Sequence, residues 1–94
     1  MRDPAERLLA DGLIRREGAR ARTTARWQAA MARAALRLQG AGAPWQDLRL
    51  PIVSALLERY PDATDAELAG LVEVMLPVEE AELAGAWGET RAAR

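Results

Sequence analysis

Arginine has the clearest spacing of any residue type in this chain, and it is the only basic side chain present. Five arginines, which we call the arginine stripe, recur at alternating intervals of seven and four: Arg15, Arg22, Arg26, Arg33 and Arg37. At about 100° per residue they fall within an arc of roughly 60° if the segment is one helix. Guanidinium groups bind carboxylates and phosphates in a bidentate manner. The spacing therefore predicts a surface for an acidic partner and supplies no catalytic chemistry.

The residue inventory excludes several kinds of catalytic and metal site. Histidine and cysteine are absent, which removes the usual zinc, iron and copper ligands, the Ser-His-Asp triad and the Cys-His pair. The single serine, Ser54, falls in a predicted amphipathic helix and has no base to activate it. Glu79, Glu80 and Glu82 lack the loop spacing of a calcium site and suit the first turn of a helix behind Pro77. We predict a non-enzymatic protein without metal or cofactor.

Charge is divided unevenly along the chain, although the net charge is only −1. Residues 1–49 hold ten arginines against five acids, and residues 50–94 hold three arginines against nine acids. Two halves of opposite charge are able to neutralise each other within one chain or across a homodimer. We therefore expect the chain itself to be its first partner and a larger protein complex to be the second. An arginine face that is merely solvated or paired internally is the plainer alternative.

The composition predicts one small domain with a thin core. The 94 residues include 21 alanines and 25 larger apolar residues of the Leu, Ile, Val, Met and Trp types. A core of this size is often completed by a second copy. The composition is typical of a GC-rich bacterial genome, so the use of arginine in place of lysine is not by itself evidence of selection for guanidinium chemistry. No apolar run is long enough to span a bilayer, so we expect a cytoplasmic protein with no membrane partner.

Capping and proline signals predict helices along the chain. Asp3-Pro4-Ala5-Glu6 combines an N-cap aspartate with a proline at the first helical position, and Thr64-Asp65-Ala66-Glu67 is a capping box. Pro51 occupies a favoured first helical position, and the helix behind it is expected to stop at Pro61. Pro77 is expected to end or kink the helix that begins at the capping box, after which a short last helix follows.

Residues 4–39 have two interpretations. In the first, one helix runs throughout and carries an apolar stripe on the flank away from the arginine stripe, with Arg20 in the middle of that apolar stripe. In the second, the helix breaks near Gly18 and restarts around Thr23 or Thr24, whose hydroxyl caps the new N-terminus. The second interpretation removes Arg20 from the apolar stripe. We favour it slightly, as two helices or as one kinked helix.

The predicted fold is all-α, a small bundle of four to five helices in a single domain. A basic N-terminal limb, residues 1–39, is followed by a Gly/Pro hinge at residues 40–47, an acidic three-helix half at residues 48–88 and a frayed tail at residues 89–94. Trp45 lies in the hinge. We expect its ring to cover the edge of the core rather than to bind a partner.

An alanine-rich flank beside Met31 and Leu38 offers an interaction face. Ala30, Ala34 and Ala35 permit the close approach of a second helix. We predict self-association or docking onto a larger complex through this face, oriented by the arginine stripe. In the alternative, the same alanines pack inside the chain against the acidic half. The larger residues that serve as anchors on this face are Trp27, Met31 and Leu38.

Nucleic-acid binding is the second functional prediction. Five guanidinium groups along about 33 Å of helix suit a phosphate backbone. The acidic pI of 5.4 opposes this interpretation. A helix-turn-helix assignment also fails, because its recognition helix would contain Glu79, Glu80 and Glu82, which repel phosphate. We therefore rank nucleic-acid binding below protein assembly.

Overall fold

The computed structural model describes residues 3–42 and 47–92, with side chains of the last helix described up to residue 85. Within these residues the chain forms four helices and one two-stranded antiparallel sheet. The predicted mainly helical fold is confirmed, and the sheet corrects the all-α assignment. Trp45 and Pro44 of the predicted hinge lie outside the described residues. The elements in chain order are α1 (Pro4–Ala10), β1 (Ile14–Glu17), β2 (Arg20–Thr23), α2 (Ala25–Gly40), α3 (Arg49–Arg59) and α4 (Asp65–Ala92).

Helix α1 is shorter than either interpretation of the N-terminal limb predicts. Its predicted start is confirmed, because the Asp3 carboxylate accepts a hydrogen bond from the N–H of Ala5 at 2.9 Å and Pro4 is the first helical residue. The helix ends at Ala10, and the chain then turns into β1. One helix through residue 39 is therefore wrong.

Strands β1 and β2 form a β-hairpin, which neither interpretation includes. Glu17 pairs with Arg20 across the two-residue turn Gly18-Ala19. Gly18 has a φ of +65°, and no non-glycine residue among those described has a positive φ. This fits a type II′ turn, which needs a positive φ only at its first central position. The predicted break near Gly18 therefore takes the form of a hairpin, and Arg20 is exposed in it.

Helix α2 begins directly after the hairpin. Thr24 caps it, because the Thr24 hydroxyl accepts a hydrogen bond from the N–H of Trp27 at 3.4 Å, and the predicted restart at this position is confirmed. The same hydroxyl donates to the C=O of Gly12 at 2.6 Å. One side chain therefore starts α2 and fixes the turn that precedes β1.

Helices α3 and α4 follow the predicted signals at their junction. Helix α3 begins two residues before Pro51 and ends at Arg59, ahead of Pro61. The capping box at the start of α4 is confirmed: the N–H of Glu67 donates to the Thr64 hydroxyl at 3.2 Å, and the N–H of Thr64 donates to the Glu67 carboxylate at 3.3 Å.

Helix α4 continues through Pro77, which corrects the prediction of a separate last helix. Residues 65–92 form one helix, so residues 89–92 are helical as well. Pro77 has no N–H, and the C=O of Glu73 therefore lacks its usual helical donor. Val78 and Glu79 are buried immediately after the proline. Burial of the Val78 side chain contributes favourably on this side of α4, against the cost of the missing hydrogen bond.

One buried cluster joins the four helices and the hairpin. Helix α1 lies so close to α4 that a Cβ built at Gly70 would come within 3.0 Å of Pro4 Cγ, and glycine permits this approach. The predicted intrachain alternative, in which alanines of α2 pack against the acidic half, is what the structure shows. The buried residues of the cluster are Leu8, Leu13, Ile14, Trp27, Ala30, Ala34, Ile52, Ala55, Leu56, Tyr60, Leu71 and Met75.

Candidate interaction surfaces

The arginine stripe is divided between two elements and does not lie on one helix. Arg15 and Arg22 are opposite each other in the hairpin. Arg26, Arg33 and Arg37 lie on α2. The intervals of seven and four therefore place arginines on one helix face only within α2. This corrects the prediction of one continuous basic helix face.

Arg22 connects the hairpin to α4 through Glu82. Its Nε donates to Glu82 Oε1 at 2.7 Å and its Nη2 donates to Oε2 at 3.3 Å, while the N–H of Thr23 donates to the same Oε1 at 3.3 Å. The hydrogen bond from Arg22 is the main cause of the lowered pKa of Glu82. Arg15 makes an exposed ion pair with Glu17 at 3.3 Å. Both hairpin members of the stripe are therefore paired within the chain.

Arg33 and Arg37 connect α2 to α3 through one carboxylate. Arg33 Nε donates to Glu58 Oε1 at 2.8 Å, and Arg37 Nη1 donates to Oε2 at 3.1 Å. The Arg33 hydrogen bond is the largest cause of the lowered pKa of Glu58. Arg37 also donates to the Ser54 hydroxyl at 2.9 Å. The neighbour of this serine is therefore a guanidinium group, which does not act as a base.

Trp27 is a core residue, and its indole N–H is used inside the chain. Its side chain is fully buried, and Nε1 donates to Oε1 of Glu79. Gln28 donates to the same oxygen at 3.4 Å. Burial raises the pKa of Glu79, and the negative charge of Glu82 raises it further, whereas the Trp27 hydrogen bond acts in the opposite direction. The predicted role of Trp27 as a partner anchor does not fit this burial.

The rest of the predicted interaction face also turns inward. Ala30 and Ala34 are buried in the common cluster, Met31 packs against that cluster, and Leu38 is half-buried. Among the predicted partner-binding residues, only arginines are therefore well exposed. This side of α2 holds the chain together.

A different apolar surface lies on the outside of the α2–α3 pair, and sequence reasoning missed it. Leu36, Leu50 and Leu57 are 68%, 42% and 44% exposed. At about 100° per residue, Leu36 lies 180° around α2 from Trp27, and the other two leucines lie on the side of α3 away from the core. Val53 of α3 is half-buried beside them. We call these four residues the outer leucine surface.

The spacing on α3 contained a signal for this surface. Leu50, Val53 and Leu57 follow the i, i+3, i+7 pattern of one helix face. Ile52 and Leu56 follow the pattern of another face, and both are fully buried. Because the two apolar faces are adjacent in sequence, the spacing alone does not show which of them the core buries.

A polar cluster joins α1, α3 and the start of α4. The Tyr60 hydroxyl donates to Oδ2 of Asp11, and the Arg7 guanidinium lies 4.3 Å from the centroid of the Tyr60 ring. Arg7 also pairs with Glu67 at 3.1 Å. Burial, followed by the hydrogen bond to Asp11, raises the pKa of Tyr60. Arg26 of the arginine stripe donates to the C=O of Asp11 at 3.0 Å and so belongs to this cluster.

A groove of about 460 Å³ separates the outer edge of β2 from the second half of α4. On the strand side, the groove is lined by the main chain of β2 and by the side chains of Arg20 and Arg22. On the helix side, it is lined by small apolar residues and by the carboxylate of Glu82. We call it the β2–α4 groove. Its lining residues are Arg20, Ala21, Arg22, Pro77, Val78, Ala81, Glu82 and Gly85.

Within the described residues, no three acidic side chains converge as metal ligands. The described helices also include none that is both long and apolar enough to cross a bilayer. Comparisons with protein-family models, with curated proteins and with solved structures find no match.

Proposed function

We propose that this chain is a non-enzymatic protein-interaction module, which self-associates or docks onto a larger complex through the outer leucine surface. The observation that carries the proposal is the exposure of Leu50 and Leu57 on the same side of α3. These leucines replace Trp27, Met31 and Leu38 as the anchors. The residue inventory supports a binding role, because Ser54 is the only serine and histidine and cysteine are absent.

The two apolar sides of α3 have different partners within the fold. One side is satisfied by the core, where Ile52, Ala55 and Leu56 are fully buried. On the other side, no described residue covers Leu50 and Leu57 to this extent, and they are 42% and 44% exposed. Full burial of a leucine side chain contributes about 1.5–3 kcal/mol relative to exposure. A helix or a second copy that covers this surface therefore gains several kcal/mol in apolar burial alone, before the costs of association.

The ion pairs between α2 and α3 give the outer leucine surface a charged centre. Arg33 and Arg37 meet Glu58 at the seam between the helices, and Leu36 lies on one side of that seam while Leu50 and Leu57 lie on the other. The side chains of Arg33 and Arg37 remain about half exposed. In this proposal, these two members of the arginine stripe orient an acidic or polar rim of the partner, and the leucines supply the apolar contact.

The test of self-association compares charge insertion at two exposed sites. The double variant Leu50→Glu/Leu57→Glu disrupts the outer leucine surface, and Leu83→Glu is the matched control because Leu83 is 44% exposed on α4. Light scattering over a concentration series is expected to show a dimer or larger species for the wild type and the control, and a monomer for the double variant. Equal masses for the two variants would contradict self-association through this surface.

The test of docking uses a single introduced cysteine, which is selective because the chain has none. The purified chain labelled with a photocrosslinker at Leu57→Cys and then added to a cell extract is expected to give a discrete adduct, whereas the chain labelled at Leu83→Cys gives none. Adducts at both sites, or at neither site together with a monomeric wild type, would refute the proposed surface.

Nucleic-acid binding remains the second candidate, and the exposed hairpin arginines favour it. Arg16 and Arg20 make no ion pair with any residue that the structure describes. A β-ribbon carrying arginines is a known way to contact a phosphate backbone. The pairing of Arg22 with Glu82 and the acidic pI weaken this candidate. It predicts salt-sensitive binding of a labelled duplex, lost in Arg16→Gln/Arg20→Gln, with log K falling by about 0.9 per phosphate contact for each tenfold rise in salt.

A further inference from the structure

The outer edge of β2 presents main-chain groups to the β2–α4 groove. Because Glu17 and Arg20 close a two-residue turn, the pairs that exchange ladder hydrogen bonds are 17 with 20 and 15 with 22. Ala21 and Thr23 therefore direct their N–H and C=O groups away from β1. The hydrogen bond from the N–H of Thr24 to the C=O of Leu13, at 3.2 Å, continues this alternation and supports it.

One of the outward N–H groups already has an acceptor from α4. The N–H of Thr23 donates to Glu82 Oε1 at 3.3 Å, so a carboxylate stands where a third strand would place a carbonyl oxygen. Ala21 is the next outward residue along the same edge. Neither its N–H nor its C=O has a hydrogen-bond partner in the described part of the chain. The edge is therefore satisfied at one position and open at the next.

The helix wall of the groove suits an extended chain. Pro77, Val78 and Ala81 give it a short apolar floor opposite Ala21. At the Gly85 end, a Cβ would lie within 4 Å of no described atom outside its own stretch of α4, so no described residue blocks the groove there. Its volume of about 460 Å³ lies within the size range of ligand-binding clefts.

The charge of the groove indicates which peptide it accepts. Arg20 is exposed on the strand side and has no ion pair with a described residue, whereas Arg22 and Glu82 neutralise each other. The lining therefore carries one net positive charge. A segment with a carboxylate near Arg20 complements this charge, and a segment with a basic residue there does not.

We propose that the β2–α4 groove binds an extended, acidic segment of a partner protein by β-strand addition. The segment pairs with the main chain of Ala21, lays one apolar side chain on Pro77, Val78 and Ala81, and places a carboxylate beside Arg20. This surface is separate from the outer leucine surface, so the inference does not depend on the proposed function.

The experiment titrates the isotopically labelled full chain with the capped pentapeptide Val-Asp-Val-Asp-Val and follows the backbone amides by NMR. The expected result is a saturable shift concentrated at Ala21 and at the α4 residues that line the groove. Val-Lys-Val-Lys-Val is expected to bind at least about tenfold more weakly, since it presents cations to Arg20. Shifts spread evenly over the surface, absence of any shift, or equal affinity for the two peptides would overturn the proposal.

Proline substitutions on the two edges form a matched pair. Ala21→Pro removes the N–H that faces the groove and leaves the β1–β2 ladder bonds intact, so it is expected to weaken binding about tenfold. Arg16→Pro removes the N–H of the residue directly opposite, which faces the other edge, and is expected to bind as the wild type does. An equal loss in both variants would refute edge-specific pairing.

Two further variants keep the test decisive if either proline variant fails to fold. Gly85→Leu fills the open end of the groove without touching the strand and is expected to abolish the shifts, and wild-type binding by this variant would overturn the proposal. Leu50→Glu/Leu57→Glu is expected to retain them, and its loss of the shifts would count against a separate site. A DNA duplex that displaces the peptide with higher affinity would replace the proposal with phosphate binding by the hairpin.

Discussion

The hydrogen bond between Trp27 and Glu79 provides the sharpest test of how this fold is held together. Trp27→Phe keeps a large apolar ring in the core and removes only the N–H donor and part of the ring volume. The buried carboxylate is then left with Gln28, whose donor lies at 3.4 Å. The substitution therefore separates the packing of this side chain from its polar role.

The magnitude follows from two contributions. Leaving a buried acceptor without its main donor costs about 1–3 kcal/mol, and the smaller ring leaves a gap that costs about 1 kcal/mol more. The total of about 2–4 kcal/mol is large beside the 5–14 kcal/mol expected for a domain of this size. We expect the midpoint of urea unfolding, followed by far-ultraviolet circular dichroism, to fall accordingly, with a loss of about 10–20 °C in Tm.

A second substitution distinguishes the hydrogen bond from the packing. In Glu79→Met the acceptor is gone, so Trp27→Phe in that background is expected to cost only about 1 kcal/mol, and the double-mutant cycle gives a coupling of about 1–3 kcal/mol. Leu36→Ala is the control on the exposed side of α2, with an expected change within about 0.5 kcal/mol. A cost for Trp27→Phe as small as that of the control, or the same cost in both backgrounds, would refute the buried pair.

Three further predictions concern a buried carboxyl, a helix cap and a turn. Because burial raises the pKa of Glu79, the folded chain holds the proton of this carboxyl more tightly than the unfolded chain does. The stability that this group contributes therefore falls as the pH rises from the unfolded pKa of about 4.3 through the raised folded pKa. Urea unfolding at a series of pH values is expected to show the free energy of unfolding of Glu79→Gln increasing relative to that of the wild type over this window. Thr64→Ala removes one arm of the capping box with Glu67 and is expected to lower the free energy of unfolding by about 1 kcal/mol, measured in urea, with no cost contradicting the cap. Gly18→Ala, at a φ of +65°, is expected to lower the free energy of unfolding by about 1 kcal/mol, measured by thermal unfolding. Gly40→Ala at the end of α2 is the control and is expected to be neutral or stabilising. The reverse order of the two effects would contradict the assigned turn at Gly18.

The elements that sequence predicted best are those fixed by local chemistry. The Asp3 cap, the Thr64 capping box and the stop before Pro61 depend on residues within one helical turn of each other, and all three are present. The sequence did not predict the hairpin, because Ala and Arg favour helices strongly and Arg15 and Arg22, on either side of Gly18, are separated by a helical interval of seven residues. The signal that could have revealed it is the two-residue turn between short segments that begin with Ile14 and end with Thr23.

The candidate surfaces were harder to predict, because they depend on which side of each helix the rest of the chain covers. Trp27 and Leu57 are both apolar residues on amphipathic helices, and their local sequence does not separate the buried one from the exposed one. What separates them is the position of α4, which buries Trp27 beside Glu79 and leaves Leu57 44% exposed. That position is set by contacts between residues far apart in the chain, for which local patterns carry no information.

The connectivity of the chain also sets the order in which it folds. Helices α2 and α3 are neighbours in sequence and pack together, so they are expected to form early as a helical hairpin. The hydrogen bonds of Arg7 to Glu67 and of Arg22 to Glu82 each span 60 residues. Neither bond forms until α4 has been made and has packed against the rest of the chain. During synthesis, the first segments to leave the ribosome are therefore the last to find their partners. A chain that stopped before α4 would leave the hairpin unanchored and the indole of Trp27 without its acceptor.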